Sequence, residues 1–339
     1  MVRVVVSGIP RGYHYPRPDG NWLQEKHIKQ IKAISPEIEL FEIPANQVMN
    51  HRGILKGFDV LLAEGGNRDH YEGELDWKDY CKFFTPQLKW VQLCSTGFSD
   101  NITLEIINGL ITLTNSPGIH TIPIAESVFA AMLEHAKKFG QRRKDQADRV
   151  WRQVKCNDLE GSTVLLIGLG NIGGRIAMLC KAFGMNVIGT RRKHDPVPNV
   201  DLVFPNNELA LYIPKADYII VVSPLTQETE GLLNRELIHK MKQTSYFINV
   251  GRGRVADEFA LVDILKEKRI AGAYLDCFGV EPLPYDHPFW QLENVFLVPH
   301  DSHSSPKIGD RLVDQFCENL RRFVNGDTLQ NICDPRRGY

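Results

Sequence analysis

No apolar run in this 339-residue sequence approaches the roughly 20 residues that cross a bilayer, so no membrane partner is expected. Charge of one sign is equally scarce: 40 lysines and arginines stand against 41 acidic residues, a net charge of -1, and nucleic acid is not an expected partner. The start, Met1 to Pro10, lacks the basic opening, long apolar stretch and cleavage site of a secretory leader, which makes a cytoplasmic location the expectation. Seven cysteines (Cys81, Cys94, Cys156, Cys180, Cys277, Cys317 and Cys333) are odd in number and form no Cys-x-x-Cys pair. They read as reduced, mostly buried thiols, with no metal site expected. Internal repeats, low-complexity tracts and long linkers are missing too.

What is present is ordinary globular composition, 43% hydrophobic and 24% charged, on a chain long enough for two domains that each bury a core. After a first third in which short apolar runs alternate with helical segments, Val2 to Ser7, Leu23 to Ile34, Phe58 to Ala63 and Leu88 to Leu93, a helix-like stretch and a further strand at Ile111 to Thr114 follow the turn at Ser95 to Asp100. Such alternation predicts a parallel sheet. That turn, the break Asn115-Ser116-Pro117-Gly118 and a long helix from about Ile122 to Phe139 place a domain boundary in this region. From Ser162 the pattern restarts with six apolar strands, Val164–Ile167, Val187–Gly189, Tyr218–Val222, Tyr246–Val250, Gly272–Leu275 and Val295–Val298. Six strands of this kind predict a Rossmann-type, doubly wound α/β sheet. Ile308, Leu312, Phe316, Leu320 and Phe323 form the stripe of a terminal amphipathic helix that must dock on something.

The strand Val164–Ile167 runs directly into Gly168-Leu169-Gly170-Asn171-Ile172-Gly173 and then an apolar helix, which is G-x-G-x-x-G in its required setting. The first glycine permits the tight turn, the second lets a pyrophosphate approach the backbone, and the third lets helix and strand pack closely. NAD sites usually carry an acid at the end of the second strand to bond the ribose 2′-hydroxyl; here that strand ends Gly189-Thr190-Arg191-Arg192-Lys193. Two guanidinium groups suit a 2′-phosphate, so NADP is expected to be preferred, with NAD possible. Asp195, beyond His194, could substitute for the missing acid.

Reduction of a 2-oxo acid needs a cation for the carboxylate and carbonyl oxygens, a proton donor for the developing alkoxide, and a carboxylate that keeps the donor charged. Arg252, Glu281 and His300 each follow the carboxyl end of an expected strand, where ligands of parallel sheets bind. Spacing alone leaves blander readings open: Arg252 as a surface ion-pair partner, Glu281 as a helix-start acid, His300 as a loop histidine.

The chain resembles the D-isomer-specific 2-hydroxyacid dehydrogenase family over essentially its whole length. The resemblance is carried by Thr114-Asn115-Ser116-Pro117-Gly118 running into Ile124-Ala125-Glu126, by Gly168 to Gly173, by Ile248-Asn249-Val250-Gly251-Arg252-Gly253 with Asp257-Glu258, and by Leu275-Asp276-Cys277-Phe278 leading to Glu281-Pro282-Leu283-Pro284 and Pro299-His300. It implies that Arg252 binds substrate, Glu281 supports the histidine and His300 is the acid/base. It also implies that the backbone around Thr96-Gly97-Phe98 receives the substrate carboxylate, that Ser223-Pro224-Leu225 and Val250-Gly251 pass beside the cofactor, and that Asp276 bonds the nicotinamide carboxamide. The implied fold is a dinucleotide domain, taken as 102–303, inserted into a flavodoxin-like substrate domain of 1–101 plus 304–339. A homodimer formed through the cofactor domain is implied as well.

The expected activity is reversible NAD(P)H-dependent reduction of a small-molecule 2-oxo acid to a D-2-hydroxy acid. A dinucleotide-sensing, co-repressor-like relative is the alternative of another class. Phosphoglycerate oxidation is a less favoured enzyme reading, because a 2′-phosphate site suits reduction and the length leaves no room for a regulatory domain. Three departures from the family pattern stand out: Asp301-Ser302-His303 after the histidine, the Tyr-, Pro- and Gly-rich segment Arg11 to Trp22, and Phe98-Ser99 at the carboxylate turn.

Overall fold

Short apolar strands become fully buried only when helices cover both faces of a parallel sheet, and this chain builds two such sheets. The computed structural model describes residues 1–336 apart from 9, 11, 12, 15, 18, 20, 45–56, 65–76, 83, 99–100 and 194. One unit comprises Met1–His120 with Ser304–Tyr339, and the other Thr121–His303.

In the first unit the strands are β1 (Val2–Ser7), β2 (Ile38–Ile43), β3 (Val60–Ala63), β4 (Trp90–Leu93) and β5 (Thr112–Thr114), all parallel, in the order β2-β1-β3-β4-β5. That is the flavodoxin-type order. Every residue of β3 and β4 is buried. The terminal helix Ile308–Asn325 lays its expected stripe on this sheet: Ile308, Leu312, Phe316 and Leu320 are buried with Val4, Val60 and Leu62, and Phe316 stacks on Trp90 with ring centroids 5.2 Å apart. Gly326, at φ 76, ends the helix in the left-handed conformation that glycine adopts without penalty.

Residues 102–120, assigned from sequence to the dinucleotide domain, belong to the first unit, because β5 pairs with β4 and completes its sheet. Strand β2 was absent from the expected set; its sequence, Ile-Glu-Leu-Phe-Glu-Ile, breaks the period-2 alternation. Of the segment 11–22, Tyr13 and Trp22 are buried in the first core, while Arg11, Gly12, Tyr15, Pro18 and Gly20 lie outside the described residues.

The second unit carries β6 (Thr163–Ile167), β7 (Asn186–Thr190), β8 (Leu202–Phe204), β9 (Tyr218–Val221), β10 (Tyr246–Asn249), β11 (Gly272–Leu275) and β12 (Val295–Leu297), parallel, in the order β12-β11-β10-β9-β6-β7-β8. The chain winds one way from β6 through β7 to β8 and the other way from β9 onward. The switch point therefore lies between β6 and β9, the place where doubly wound sheets bind nucleotides. Six of the seven strands match the sequence reading; β8, three residues at the edge with Leu202 exposed, carries too little periodic signal to read.

The helix Thr121–Lys137 buries Ile124, Ala125, Val128, Met132 and Ala136 in one core with Ile176, Ala177 and Cys180 of the helix Asn171–Ala182. It stops two residues before the expected Phe139, because Lys138 turns to φ 55 and starts a second helix, Phe139–Ala147. Near its end His135 stacks on Tyr246 (centroids 4.2 Å, planes 22° apart) with the edge of Tyr218 at 6.2 Å. Burial, with a smaller contribution from Lys138, lowers the imidazole from 6.5 to about 4.

This depression makes the His135 contribution to stability pH-dependent. Between about pH 4 and pH 6.5 the unfolded chain carries a proton on this ring that the folded chain rejects, so stability rises with pH through that window and is fully developed above it. Denaturant midpoints compared at about pH 4.5 and about pH 7 should rise less for His135→Phe than for the parent; an equal rise in both proteins would show that this ring does not titrate differently on folding.

Candidate active site

All seven strands of the second sheet run parallel, so every loop that leaves a strand's carboxyl end emerges on one edge. Gly168, after β6, sits at φ 109, and a β-carbon there would come within 2.9 Å of the Ser223 backbone nitrogen. At Gly173 a β-carbon would lie 2.1 Å from the Gly168 carbonyl oxygen, so helix and strand approach at a distance only glycine allows. A β-carbon on Gly170 would meet nothing within 4 Å. No side chain caps the helix Asn171–Ala182, which begins at that open point, and its N-terminal N–H groups suit an anion.

Ser223 follows β9 on the opposite side of the switch point, buried, with no partner for its Oγ among the described residues. An uncapped helix start, an open glycine and an orphaned buried hydroxyl together fit a dinucleotide pyrophosphate. Asn171 and Ile172 open the helix, and Pro224 and Leu225 continue the facing loop.

At the end of β7, Thr190 is buried, Arg191 half-buried and Arg192 exposed, and Lys193 completes a run with no acid. The Arg192 Nε lies 3.6 Å from Glu228 of the loop after β9. Asp195 is exposed and His194 lies outside the described residues.

The loops after β11 and β12 meet. The Glu281 Oε2 lies 2.7 Å from His300 Nδ1, and its Oε1 accepts a 2.9 Å hydrogen bond from the Phe278 N–H. Glu281 is thus fixed through one oxygen and orients the imidazole through the other. Since Nδ1 is engaged, Nε2 is the nitrogen left to face a reactant. The next N–H, of Gly279, donates to Glu258 Oε2 at 2.8 Å, and Glu258 Oε1 in turn lies 3.1 Å from His287 Nε2.

Arg252 follows β10 with its Nη1 on the Gly251 carbonyl at 2.7 Å. Its turn is held by the buried Asn249, whose Oδ1 accepts from Gly251 N–H at 3.1 Å and whose Nδ2 donates to the Arg252 carbonyl at 3.1 Å. The Cys277 thiol donates to the same Oδ1 at 3.3 Å. Burial raises this thiol well above its ordinary range; Asp276 adds to the rise, Arg252 opposes it, and Glu281 and Glu258 act as Asp276 does. Arg252 and Glu281 therefore lie within electrostatic reach of one buried sulfur. The two loops also touch backbone to backbone: a β-carbon on Gly253 would lie 2.0 Å from the Phe278 carbonyl carbon.

Asp276, only 2% exposed, follows β11. Its Oδ1 accepts from the N–H groups of Asp301 (2.9 Å) and Ser302 (3.0 Å), and its Oδ2 accepts from the Ser302 hydroxyl. Of about four lone-pair positions on a carboxylate, three are spent on the loop that carries His300, and one on Oδ2 is left for another donor. Burial pushes the Asp276 carboxyl up, while the Ser302 hydrogen bonds pull it back. Ser302, Ser127 and Asn249 were not among the sequence-derived candidates; Ser302 had been singled out only as part of a departure.

In the first unit, the turn after β4 presents Thr96 and Gly97 as exposed backbone, and a β-carbon on Gly97 would meet nothing within 4 Å. Asn115 Nδ2 donates to the Thr96 carbonyl at 2.6 Å, and Ser95 Oγ to the Gly97 carbonyl at 3.1 Å. Phe98 is buried in that unit's own core, so its side chain anchors the turn, and Ser99 lies outside the described residues.

Comparison with known proteins fits this arrangement. The sequence model of the D-isomer specific 2-hydroxyacid dehydrogenase NAD-binding domain matches residues 129–302. The glyoxylate reductase of Korarchaeum cryptofilum is 33% identical over 265 residues, which is 73% of this chain and 76% of that one. Among solved structures, a D-isomer specific 2-hydroxyacid dehydrogenase family protein from Aeromonas salmonicida superposes with a TM-score of 0.81 at 27% identity, covering 98% of this chain and 99% of that one. A D-isomer specific 2-hydroxyacid dehydrogenase from Xanthobacter autotrophicus, solved with NADPH and MES, gives 0.75 at 27% identity over 100% of this chain and 99% of that one. On these grounds the chain belongs to the D-isomer-specific 2-hydroxyacid dehydrogenase family and is an NAD(P)-dependent oxidoreductase.

Proposed function

We propose that the protein reduces a small 2-oxo acid of the glyoxylate or hydroxypyruvate class to its 2-hydroxy acid, of D configuration where the product is chiral, with NADPH the preferred reductant. The observation that carries this reading is the 2.7 Å contact between His300 Nδ1 and Glu281 on the same sheet edge as the glycine turn. The names of relatives support the substrate class, and the NADPH complex of the Xanthobacter protein supports the cofactor.

The glycine turn Gly168 to Gly173, Ser223 to Leu225 and Val250-Gly251 would hold the dinucleotide, with Thr190, Arg191 and Arg192 at its adenosine end. Bound there in its reduced form, it supplies a hydride to the carbonyl carbon. Arg252 binds the substrate carboxylate and carbonyl oxygen through its planar fork, and the backbone of Thr96-Gly97-Phe98, exposed at Thr96 and Gly97, is the proposed second carboxylate contact. His300 in its charged form donates through both nitrogens: Nδ1–H to Glu281, and Nε2–H to the carbonyl oxygen as it becomes an alkoxide. Glu281 stabilises the imidazolium and fixes its plane. In the oxidative direction Nε2 takes the hydroxyl proton back.

A spectrophotometric screen of 2-oxo acids against NADPH and NADH tests the reading. NADPH oxidation with glyoxylate or hydroxypyruvate is expected, and no turnover of any 2-oxo acid with either cofactor would refute it. His300→Ala should lower turnover by about a hundredfold or more while NADPH still binds, as seen by fluorescence titration; turnover close to the parent's would remove His300 from the mechanism. Replacing both Arg191 and Arg192 by alanine should raise the KM for NADPH about tenfold or more and leave that for NADH nearly unchanged. Equal changes for the two cofactors would show that these guanidinium groups do not read the 2′-phosphate.

A further inference from the structure

His300 holds a left-handed backbone, φ 52, which residues bearing a β-carbon seldom adopt. Such a conformation persists only where its surroundings over-determine it. The surroundings here are specific. Asp276 takes the N–H groups of Asp301 and Ser302 on one oxygen and the Ser302 hydroxyl on the other, while Ser127 Oγ, on the helix Thr121–Lys137, donates to the Ser302 carbonyl at 3.0 Å. Ser302 is therefore bonded through its N–H, its hydroxyl and its carbonyl, and it is 4% exposed. The two backbone bonds to Asp276 would form with any residue but proline at position 302; only the hydroxyl bond depends on its side chain.

We propose that Ser302 is a positioning residue for proton transfer: its hydroxyl locks the loop 300–302 onto Asp276 and so keeps the His300 imidazole against Glu281. Without that hydroxyl, Asp276 Oδ2 becomes a carboxylate oxygen buried with one donor fewer, and a buried acceptor in that state draws in water or turns toward another donor. Either response moves the two N–H groups on Oδ1, and the His300 backbone moves with them. Nε2 and the substrate's carbonyl oxygen must meet within a narrow range for the proton to pass, so a displacement of about 1 Å in the His300 backbone is felt in the transfer.

This inference rests on the reading of His300 as the proton donor, and its test has one readout that needs no turnover. In the cofactor-free protein the His300 Nδ1–H, hydrogen-bonded to Glu281, should give an observable imidazole proton resonance. It should persist in Ser302→Thr, which keeps the hydroxyl, and broaden or vanish in Ser302→Ala. With substrate and NADPH, kcat of Ser302→Ala should fall about 10- to 100-fold while Ser302→Thr stays within about threefold of the parent, the Kd for NADPH changing little in either. An unaltered resonance in Ser302→Ala, unaltered kcat in that variant, or equal impairment of the threonine and alanine variants would overturn the proposal. If the resonance behaves as expected but the parent reduces no 2-oxo acid, the positioning role stands and the functional reading fails.

Discussion

The contact on which the site depends is the one between the Glu281 carboxylate and the His300 imidazole, and neither loop alone could make it. Glu281 and His300 follow β11 and β12, neighbours paired in register from Ala273 with Val295 to Leu275 with Leu297. Parallel pairing sends both loops off the same edge, but leaves each free to bend. What removes that freedom is a set of backbone hydrogen bonds aimed at carboxylates: Phe278 N–H to Glu281, Gly279 N–H to Glu258, Asp301 and Ser302 N–H to Asp276. Hydrogen bonds to charged acceptors are shorter and stronger than neutral ones, and buried ones cannot be exchanged for water without loss. Acidic residues therefore hold this region together even though the chain as a whole is nearly neutral.

Arg252 enters the same arrangement by close packing. Gly253 brings its backbone against that of Phe278 at a distance no other residue permits, and Asn249 ties the arginine's turn to the Cys277 thiol. A shift in the Glu281 loop would thus be transmitted to Arg252 through backbone contact rather than through a long side chain. The burial that raises the Cys277 thiol also makes this side chain a packing element of the turn it bonds.

How much of this could be read from the chain depended on the kind of signal each feature leaves. The glycine turn was legible because a local pattern, strand then G-x-G-x-x-G then helix, dictates its own geometry, and Gly168 and Gly173 are glycines for the steric reasons the pattern implies. The stripe of Ile308, Leu312, Phe316 and Leu320 was legible because a helix has one period. Strands β2 and β8 were not, one lacking alternation and the other being three residues long, and with β5 misassigned the domain boundary fell too early. Arg252, Glu281 and His300 were suggested by their places after strand carboxyl ends and singled out by family resemblance, since nothing periodic joins residues so far apart. Ser127 left no sequence signal, and Asn249 and Ser302 stood only within a family segment and a departure from it, with no role attached: a serine or asparagine does not show its role until its partner is seen across the fold.

The proposed chemistry requires a bound 2-oxo acid to lie with its carbonyl oxygen on His300 Nε2 and its carboxylate on Arg252. A crystal structure of the protein with NADP and oxamate, an unreactive 2-oxo acid mimic, measures this directly. The oxamate carbonyl oxygen is expected within about 3.2 Å of Nε2, with the Glu281 contact intact and the guanidinium on the carboxylate. Oxamate bound away from Nε2, or an imidazole turned off Glu281 in the complex, would contradict that chemistry.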